Sequence, residues 1–590
     1  MSYLCKKILI KYYTMKLGRK LLFMAMLLVT FDAVAESVWV DDVCYDLIPE
    51  NSTAKVSTGL LASGEIVIPS VVTHEGVDYV VVSIEDNAFM GRDITSIVLP
   101  ESVKRIGSYA FSQCRSLGSV VLPKGGVDIR SYAFANCSSL NSIIFPEGEV
   151  TVGERAFVYC SGLTSVTISE NVNLLAGGNV FYACDNLERV EIYCEHVDDW
   201  FRSNETIKEV VLGEQVVTIG EYAFYECTGL STVVIPEDAR LTTIGKGAFE
   251  YCQSLPSIYI PRRVTDIGWF AFDGCSNLER VTMNCTVVGS WFDGSETIKE
   301  FILGDDVEVI GSSAFYDCAG LTSIVIPRGV KSIGGSAFSG CSSLASIVVA
   351  EDNRVYDSRG GCNAIIETAT NTLLVGCAAT VVPDDIASLA SSAFGGCVNL
   401  RSIALPEGVT SMGNSVFYDC TNLVSVVLPS TLTSIGGSAF SGCESLASVT
   451  IPEGVDTIRM WTFADCRSLT TITIPWTVRE IGYEAFANCS GVTSITSHAA
   501  TPPSCIRNAF SGVDTSIPVY VPTAAVADYQ SASEWSLFTN IVGVNTGIVN
   551  HTIGIQGHKP QYDLQGRLIA EPDRIKGISI VSGKKVMRRF

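Results

Sequence analysis

Residues 432–452 read LTSIGGSAFSGCESLASVTIP, and residues 103–123 read VKRIGSYAFSQCRSLGSVVLP. Both follow I-G-x-x-A-F-x-x-C-x-x-L-x-x-I-x-I-P, with Val or Leu exchanging for Ile near the end. Self-similarity at a short fixed period marks an architecture of stacked repeats. The repeat Phe recurs at Phe89, Phe111, Phe134, Phe157, Phe181, Phe224, Phe249, Phe272, Phe315, Phe338, Phe394, Phe417, Phe440, Phe463, Phe486 and Phe510, most often 23 residues apart. Two longer gaps hold shortened copies, WFRSNETIKEVVLG (200–213) and WFDGSETIKEFILG (291–304). In these, Phe201 and Phe292 take the Phe place, and Ile207 and Ile298 take the Leu place, which makes eighteen units.

Within a unit, L-x-x-I-x-I alternates with period two, so it predicts a short strand. Pro ends the strand because it has no N–H to give to a ladder. The I-G-x-x-A-F-x-x-C stretch suits a short helical or irregular turn on the opposite side. One unit cannot bury its own Phe, Leu and Ile. Stacked units can, at about 1.5–3 kcal/mol per fully buried large side chain. The expected fold is a repeat solenoid: a curved stack with a parallel β-sheet on one face, short turns opposite, and β-rich caps. A regular core of this kind accounts for 47% hydrophobic residues without membrane spans.

The repeated C-x-x-L-x-x-I-x-I-P resembles the BspA-like leucine-rich repeats, the Treponema pallidum type of that superfamily, over residues 84–522. Pro follows the strand where the more familiar repeats carry Asn or Cys, so no Asn ladder is expected. The resemblance implies a surface protein that contacts host matrix or plasma proteins, host cells or other microbes. It implies adhesion by many weak contacts along an extended surface.

The flanks divide as follows. Residues 1–35 read as a signal peptide, with Met15 a second candidate start. The basic Lys16–Lys20 region precedes an apolar run, Leu21–Phe31, and Ala33-Val34-Ala35 offers a cleavage site. No other stretch reaches the roughly 18 apolar residues of a membrane span. Residues 36–83 read as an N-terminal β cap, since a solenoid end exposes core and a free strand edge. Residues 351–382 hold an insertion built on a hairpin, NAIIETATNTLLVGC (363–377). Residues 523–545 read as a C-terminal cap carrying Tyr529, Trp535 and Phe538. Residues 546–590 read as a small β tail. It resembles the sorting tails of proteins exported by the type IX route of Bacteroidetes, through Tyr562-Asp563-Leu564-Gln565-Gly566-Arg567, Lys576-Gly577-Ile578 and Val581-Ser582-Gly583-Lys584-Lys585-Val586. The alternative is a β module with no export role. These readings place the protein outside the cell or on its surface.

Twenty-one Cys in an exported chain raise the question of disulfides. Position argues against them. Fourteen stand three residues after the repeat Phe: Cys114, Cys137, Cys160, Cys184, Cys227, Cys252, Cys275, Cys318, Cys341, Cys397, Cys420, Cys443, Cys466 and Cys489. The shortened units put Asn204 and Ser295 there, so the place favours a small side chain, and a free Cys behaves as a small buried hydrophobe. The expectation is a ladder of buried thiols. Cys362 and Cys377 flank the hairpin; a bond between them and two separate thiols are both open. No C-x-x-C pair or His cluster points to a metal.

A net charge of −22 repels phosphate backbones, which argues against nucleic acid as a partner. The five His share no repeat position, and no G-x-S-x-G elbow, P-loop or dinucleotide fingerprint appears. Neither catalysis nor a cofactor is expected. The acidic loops Asp305-Asp306, Asp384-Asp385 and Glu351-Asp352-Asn353 read as solvated charge, with calcium the alternative. What the repeat offers is a surface. The residue between the two inward positions of each strand faces outward: Val121, Ile144, Thr167, Val234, Tyr259, Val325, Val348, Val427, Thr450 and Thr473 form a candidate stripe for binding extracellular proteins or glycoproteins. The competing explanation is β-propensity alone. Capture of polysaccharide or nutrient, and a structural surface scaffold, are the alternative functions.

Overall fold

The computed structural model describes residues 36–174 and 178–545, together with the strands Ile578–Val581 and Lys584–Met587. Those two strands pair antiparallel. The signal-peptide reading of residues 1–35 and the rest of the tail reading lie outside the described residues. The chain divides into two compact units, Met1–Gly162 and Leu163–Phe590.

The first unit opens with an antiparallel edge. Glu36–Val40 pairs with Val43–Ile48, which pairs with Thr53–Thr58. The ladders then become parallel. Thr53–Thr58, Val77–Ile84, Arg105–Ile106, Val127–Ile129 and Val150–Val152 form one. Ser63–Val67, Asp93–Val98 and Ser119–Val121 form the other. Parallel pairing thus reaches back to Thr53 and Ser63, in a stretch without the Phe and Cys of the repeat. Phe89, Phe111, Phe134 and Phe157 stack with centroids 5.0–5.2 Å apart.

The second unit is a parallel β-solenoid built on the same two ladders. Its main ladder comes from the L-x-x-I-x-I stretch and runs in four sheets. The longest joins Ser257–Ile260, Arg280–Met283, Glu300–Leu303, Ser323–Ile326 and Ser346–Val349. The second ladder has two residues per coil, such as Thr218–Ile219, Thr243–Ile244 and Asp266–Ile267, where the repeat Ile precedes Gly. The sequence pattern did not show this ladder, because two residues are too few to display a period. The I-G place needs little room above it: a Cβ on Gly334 would lie 2.3 Å from the Ser312 nitrogen of the preceding coil.

Between the ladders lies an irregular turn that, among the described residues, contains no helix. In the full-length coils it bends through two left-handed residues, two before and two after the Phe, such as Ser415 and Asp419, Ser438 and Gly442, Trp461 and Asp465; the coils of Phe201 and Phe292 keep only the second, Ser203 and Gly294. The second position therefore collects Gly, Asn and Asp, which visit that region at least cost. In the second unit the Phe rings stack from Phe394 through Phe417, Phe440, Phe463 and Phe486 to Phe510 at 5.2–5.6 Å. Phe201 and Phe292 of the shortened coils take their places in stacks with Phe224 and Phe272.

At residues 364–376 the strands Ala364–Glu367 and Thr372–Gly376 pair antiparallel, and Thr372–Gly376 continues in parallel to Ser388–Leu389. Cys362 and Cys377 are separate thiols. At the far end Pro518–Pro522 joins Ser494–Ser497 and Asn540–Val544. Tyr529, Trp535 and Phe538 are buried there. Trp535 and Phe538 close over Phe510 at 5.1 and 5.4 Å, Tyr529 packs on Trp535, and the Trp535 indole donates to the Pro503 carbonyl at 3.0 Å.

Candidate binding surface

Each main-ladder strand points its first and third residues outward and its second and fourth into the core. In-register parallel pairing then turns the third position into a continuous row. In the first unit that row holds Val67, Val98 and Val121, all exposed. Ile144 is more exposed still, at 78%. In the second unit one run is Thr167, Glu191, Val211 and Val234, and another is Tyr259, Thr282, Ile302, Val325 and Val348. Further runs are Ala404 with Val427, and Thr473, Thr496, Tyr520 and Val542. Thr450 is exposed but unpaired, since its coil meets the neighbouring strand only through a Ser425–Ser448 bridge.

Val67, Val98, Val211, Ile302, Tyr520 and Val542 belong to this row and were not singled out from the sequence. Val211 and Ile302 lie in the shortened coils, where the alternation in EVVL and EFIL was the available signal. Val67 and Val98 precede the first full repeat motif.

The apolar row has a polar neighbour at the first strand position. In the long sheet this is Ser257, Arg280, Glu300, Ser323 and Ser346, with Arg280 donating to Glu300 at 2.6 Å. In the sheet before it, Arg189 bridges Glu209 and Glu191, so charge reaches into the row itself. Ile302, Val325 and Val348 have no such charge among them, and they remain 41–55% exposed.

The repeat Cys residues are free and buried. Most also donate. Cys114, Cys137 and Cys160 direct Sγ to the carbonyls of Phe89, Phe111 and Phe134 in the preceding coil, at 3.0–3.2 Å. In the second unit Cys420, Cys443, Cys466 and Cys489 do the same toward Phe394, Phe417, Phe440 and Phe463. Asn204 replaces this with its own set, donating to the Cys184 carbonyl and accepting from the Thr206 and Ile207 amides. The position thus calls for a small donor, which the sequence reading as a plain hydrophobe did not include. Burial pushes the thiols of Cys227, Cys397 and Cys489 up to about 12.

Polar groups elsewhere are dispersed. His74 meets Glu36 at 3.3 Å. Asp305 and Asp306 pair with Arg328 and Arg262, and Asp385 with Arg359, so these loops are held by arginine. Among the described residues no group of three His, Cys, Asp or Glu is arranged to hold a metal. No helix among them is long and apolar enough to cross a membrane.

Comparison with known proteins agrees with the coil pattern. The BspA type leucine rich repeat region matches in six copies, over residues 82–199, 195–291, 286–359 and 377–511. A leucine rich cell surface protein from Faecalibacterium prausnitzii A2-165 is similar over 81% of this chain and 98% of its own, at 24% identity and a TM-score of 0.37. A leucine-rich repeat protein from Bacteroides ovatus ATCC 8483 is similar over 73% and 98%, at 25% identity and 0.40. The T. pallidum leucine rich repeat protein is similar over 38% and 91%, at 27% identity and 0.28. No curated protein matches the chain. With matched regions covering most of its length and the coil built as that repeat requires, the chain belongs to the BspA type leucine-rich-repeat family.

Proposed function

We propose that this is a secreted or cell-surface protein that adheres to other proteins through the outward face of its main ladder. Extracellular proteins or glycoproteins, including host matrix, are the intended partners. The observation that carries the reading is the run Ile302, Val325 and Val348, three exposed aliphatic side chains on adjacent strands with a polar row beside them. An apolar strip bordered by polar groups is the usual character of a protein-binding patch. Exposed-strand propensity would also place Val or Thr in such a row, and the binding test below separates the two explanations. The family and the signal-like N-terminal sequence support the extracellular setting. Glycan capture, the alternative, calls for a series of aromatic platforms on this face, and aliphatic residues and Thr fill it from Thr282 to Val348.

The test is binding of the protein to an array of matrix proteins and of host and microbial glycans, at several salt concentrations. Saturable binding to a protein is expected, with weak salt dependence. It should disappear in an Ile302→Asp, Val325→Asp, Val348→Asp triple variant whose unfolding is unchanged. Binding to glycans alone would replace adhesion with capture. Silence on every spot would leave the scaffold role.

A further inference from the structure

The turn of one coil is normally tied to the next by three backbone bonds. From the coil of Phe249 these are Gly247 to Trp269 (3.1 Å), Phe249 to Ala271 (2.8 Å) and Tyr251 to Asp273 (2.7 Å). Among the described residues, no such bond leaves the amides of Phe270, Phe272 or Gly274 for the following coil. Gly274 bonds instead to the Asp273 carboxylate at 3.0 Å. The second ladder breaks at the same level: Asp266–Ile267 ends one sheet and Val287–Val288 begins another.

The break falls at a shortened coil. Ile267 and Phe272 are five residues apart, whereas Val288 and Phe292 are four apart. Trp291 therefore stands immediately before its Phe, where Ala271 is fully buried in the preceding coil. Trp291 is only partly buried, whereas Trp200, at the same place in the other shortened coil, is fully buried. The Phe272 and Phe292 rings still stack at 5.2 Å, and Arg280–Met283 still pairs with Glu300–Leu303. The opening is thus confined to the turn side, away from the face proposed for adhesion.

The result is a cleft of about 690 Å³. Trp269, Phe270 and Trp291 line it together with Asp273, Asp293 and Glu296. Trp269 is 82% exposed and Phe270 55%. No ion pair among the described residues includes any of the three carboxylates.

Earlier coils of the same unit show how such a surface is satisfied from within. The Arg202 guanidinium lies over Tyr222 at 5.2 Å and Tyr225 at 4.8 Å, and the Lys246 ammonium lies 5.7 Å from Tyr222. Phe270 occupies the repeat position of Tyr222, and Trp269 that of Lys246. The cleft therefore keeps the rings and the carboxylates but has lost the internal cation. We propose that it binds a lysine or arginine side chain presented by an extended segment of a partner protein. Ring faces attract a cation, and three carboxylates neutralise it. A neutral sugar would cover those carboxylates without balancing their charge, which is unfavourable.

The experiment is calorimetric titration of the full chain with three probes: a short peptide of alternating Lys and Gly, its lysine-acetylated counterpart, and a neutral oligosaccharide. Saturable 1:1 binding of the first alone is expected, weakening as salt rises. Trp269→Ala leaves the charge unchanged and removes an exposed ring, so folding is preserved. It should weaken binding by about threefold to thirtyfold, the factor that a cation–π contact represents. An Asp293→Asn, Glu296→Gln variant should weaken it as well, while the Ile302→Asp, Val325→Asp, Val348→Asp variant should not, which separates this site from the adhesive face. The proposal is overturned if the lysine peptide does not bind. It is equally overturned if Trp269→Ala binds as the parent does, since attraction to a chain of net charge −22 would then suffice. Equal binding of the acetylated peptide or the oligosaccharide would also overturn it.

Discussion

Raising the pH should unfold the second unit through its buried thiols. Burial pushes Cys227, Cys275, Cys318, Cys397 and Cys489 to about 12 from an ordinary 9.0. Burial likewise holds Cys252, Cys341, Cys420, Cys443 and Cys466 well above 9.0. The neutral thiol is the form that the fold accommodates. The stability linked to it is therefore complete below pH 9 and is lost as pH climbs from 9 toward 12, because only the unfolded chain ionises in that window. One unit above 9, each unfolded thiol gains about 1 kcal/mol. Ten thiols then sum to about 10 kcal/mol, as large as the roughly 5–15 kcal/mol that holds a typical domain folded. Coils contact only their neighbours, so a block that unfolds separately should show a slope set by the thiols it contains. Urea unfolding followed by circular dichroism at pH 8, 9 and 10 reads the effect. The midpoint should already fall between 8 and 9, by the equivalent of about 3–4 kcal/mol as the unfolded thiols reach half-ionisation, and should collapse by 10. A Cys443→Ala variant should show a slope shallower by about 1 kcal/mol per pH unit. At pH 8 the native thiols should not react with a disulfide reagent until urea is added. A midpoint that stays flat to pH 10, or ladder thiols that react at pH 8 as fast as an unfolded peptide, would refute the reasoning.

Three substitutions probe the coil itself. Phe440 is buried between Phe417 and Phe463, each 5.3 Å away, so Phe440→Ala should cost about 3–5 kcal/mol in urea unfolding. Asn353 donates to the Pro327 and Val330 carbonyls and accepts from the Val355 and Tyr356 amides. Asn353→Ala should therefore cost about 2–3 kcal/mol by the same measurement. Gly334 and Gly335 make a matched pair: a Cβ on Gly334 strikes the Ser312 backbone, while one on Gly335 meets nothing within 4 Å. Gly334→Ala should cost about 1–3 kcal/mol, and Gly335→Ala should change stability by no more than about 0.5 kcal/mol.

The fold was legible because the repeat writes its core into every coil. Phe, Cys, Leu and two aliphatic positions recur at fixed offsets, and each stacks on its own copy in the neighbouring coil. The Phe stacks and the outward direction of Val121, Val325 and Val348 follow from that period alone. The thiol ladder was legible for the same reason, but its bonds were not. Whether Cys443 reaches the Phe417 carbonyl depends on how two coils are offset, and the offset is not written within one coil.

Other features arise only when coils meet. The second ladder uses pairs such as Thr243–Ile244, too short to alternate visibly, and forms because the first ladder has already brought the copies into register. Ile302 joins Val325 and Val348 only through strand pairing. The cleft lies at a shortened coil: the sequence displayed the shortening, but not the bonds that Phe270 and Phe272 lack or the partial exposure of Trp291. The sequence by itself determined the repeat, its core and the direction in which each strand side chain points, since these follow from local periodicity. The tertiary structure decided which surfaces those coils compose, because a surface made of neighbouring coils depends on their register and on where that register fails.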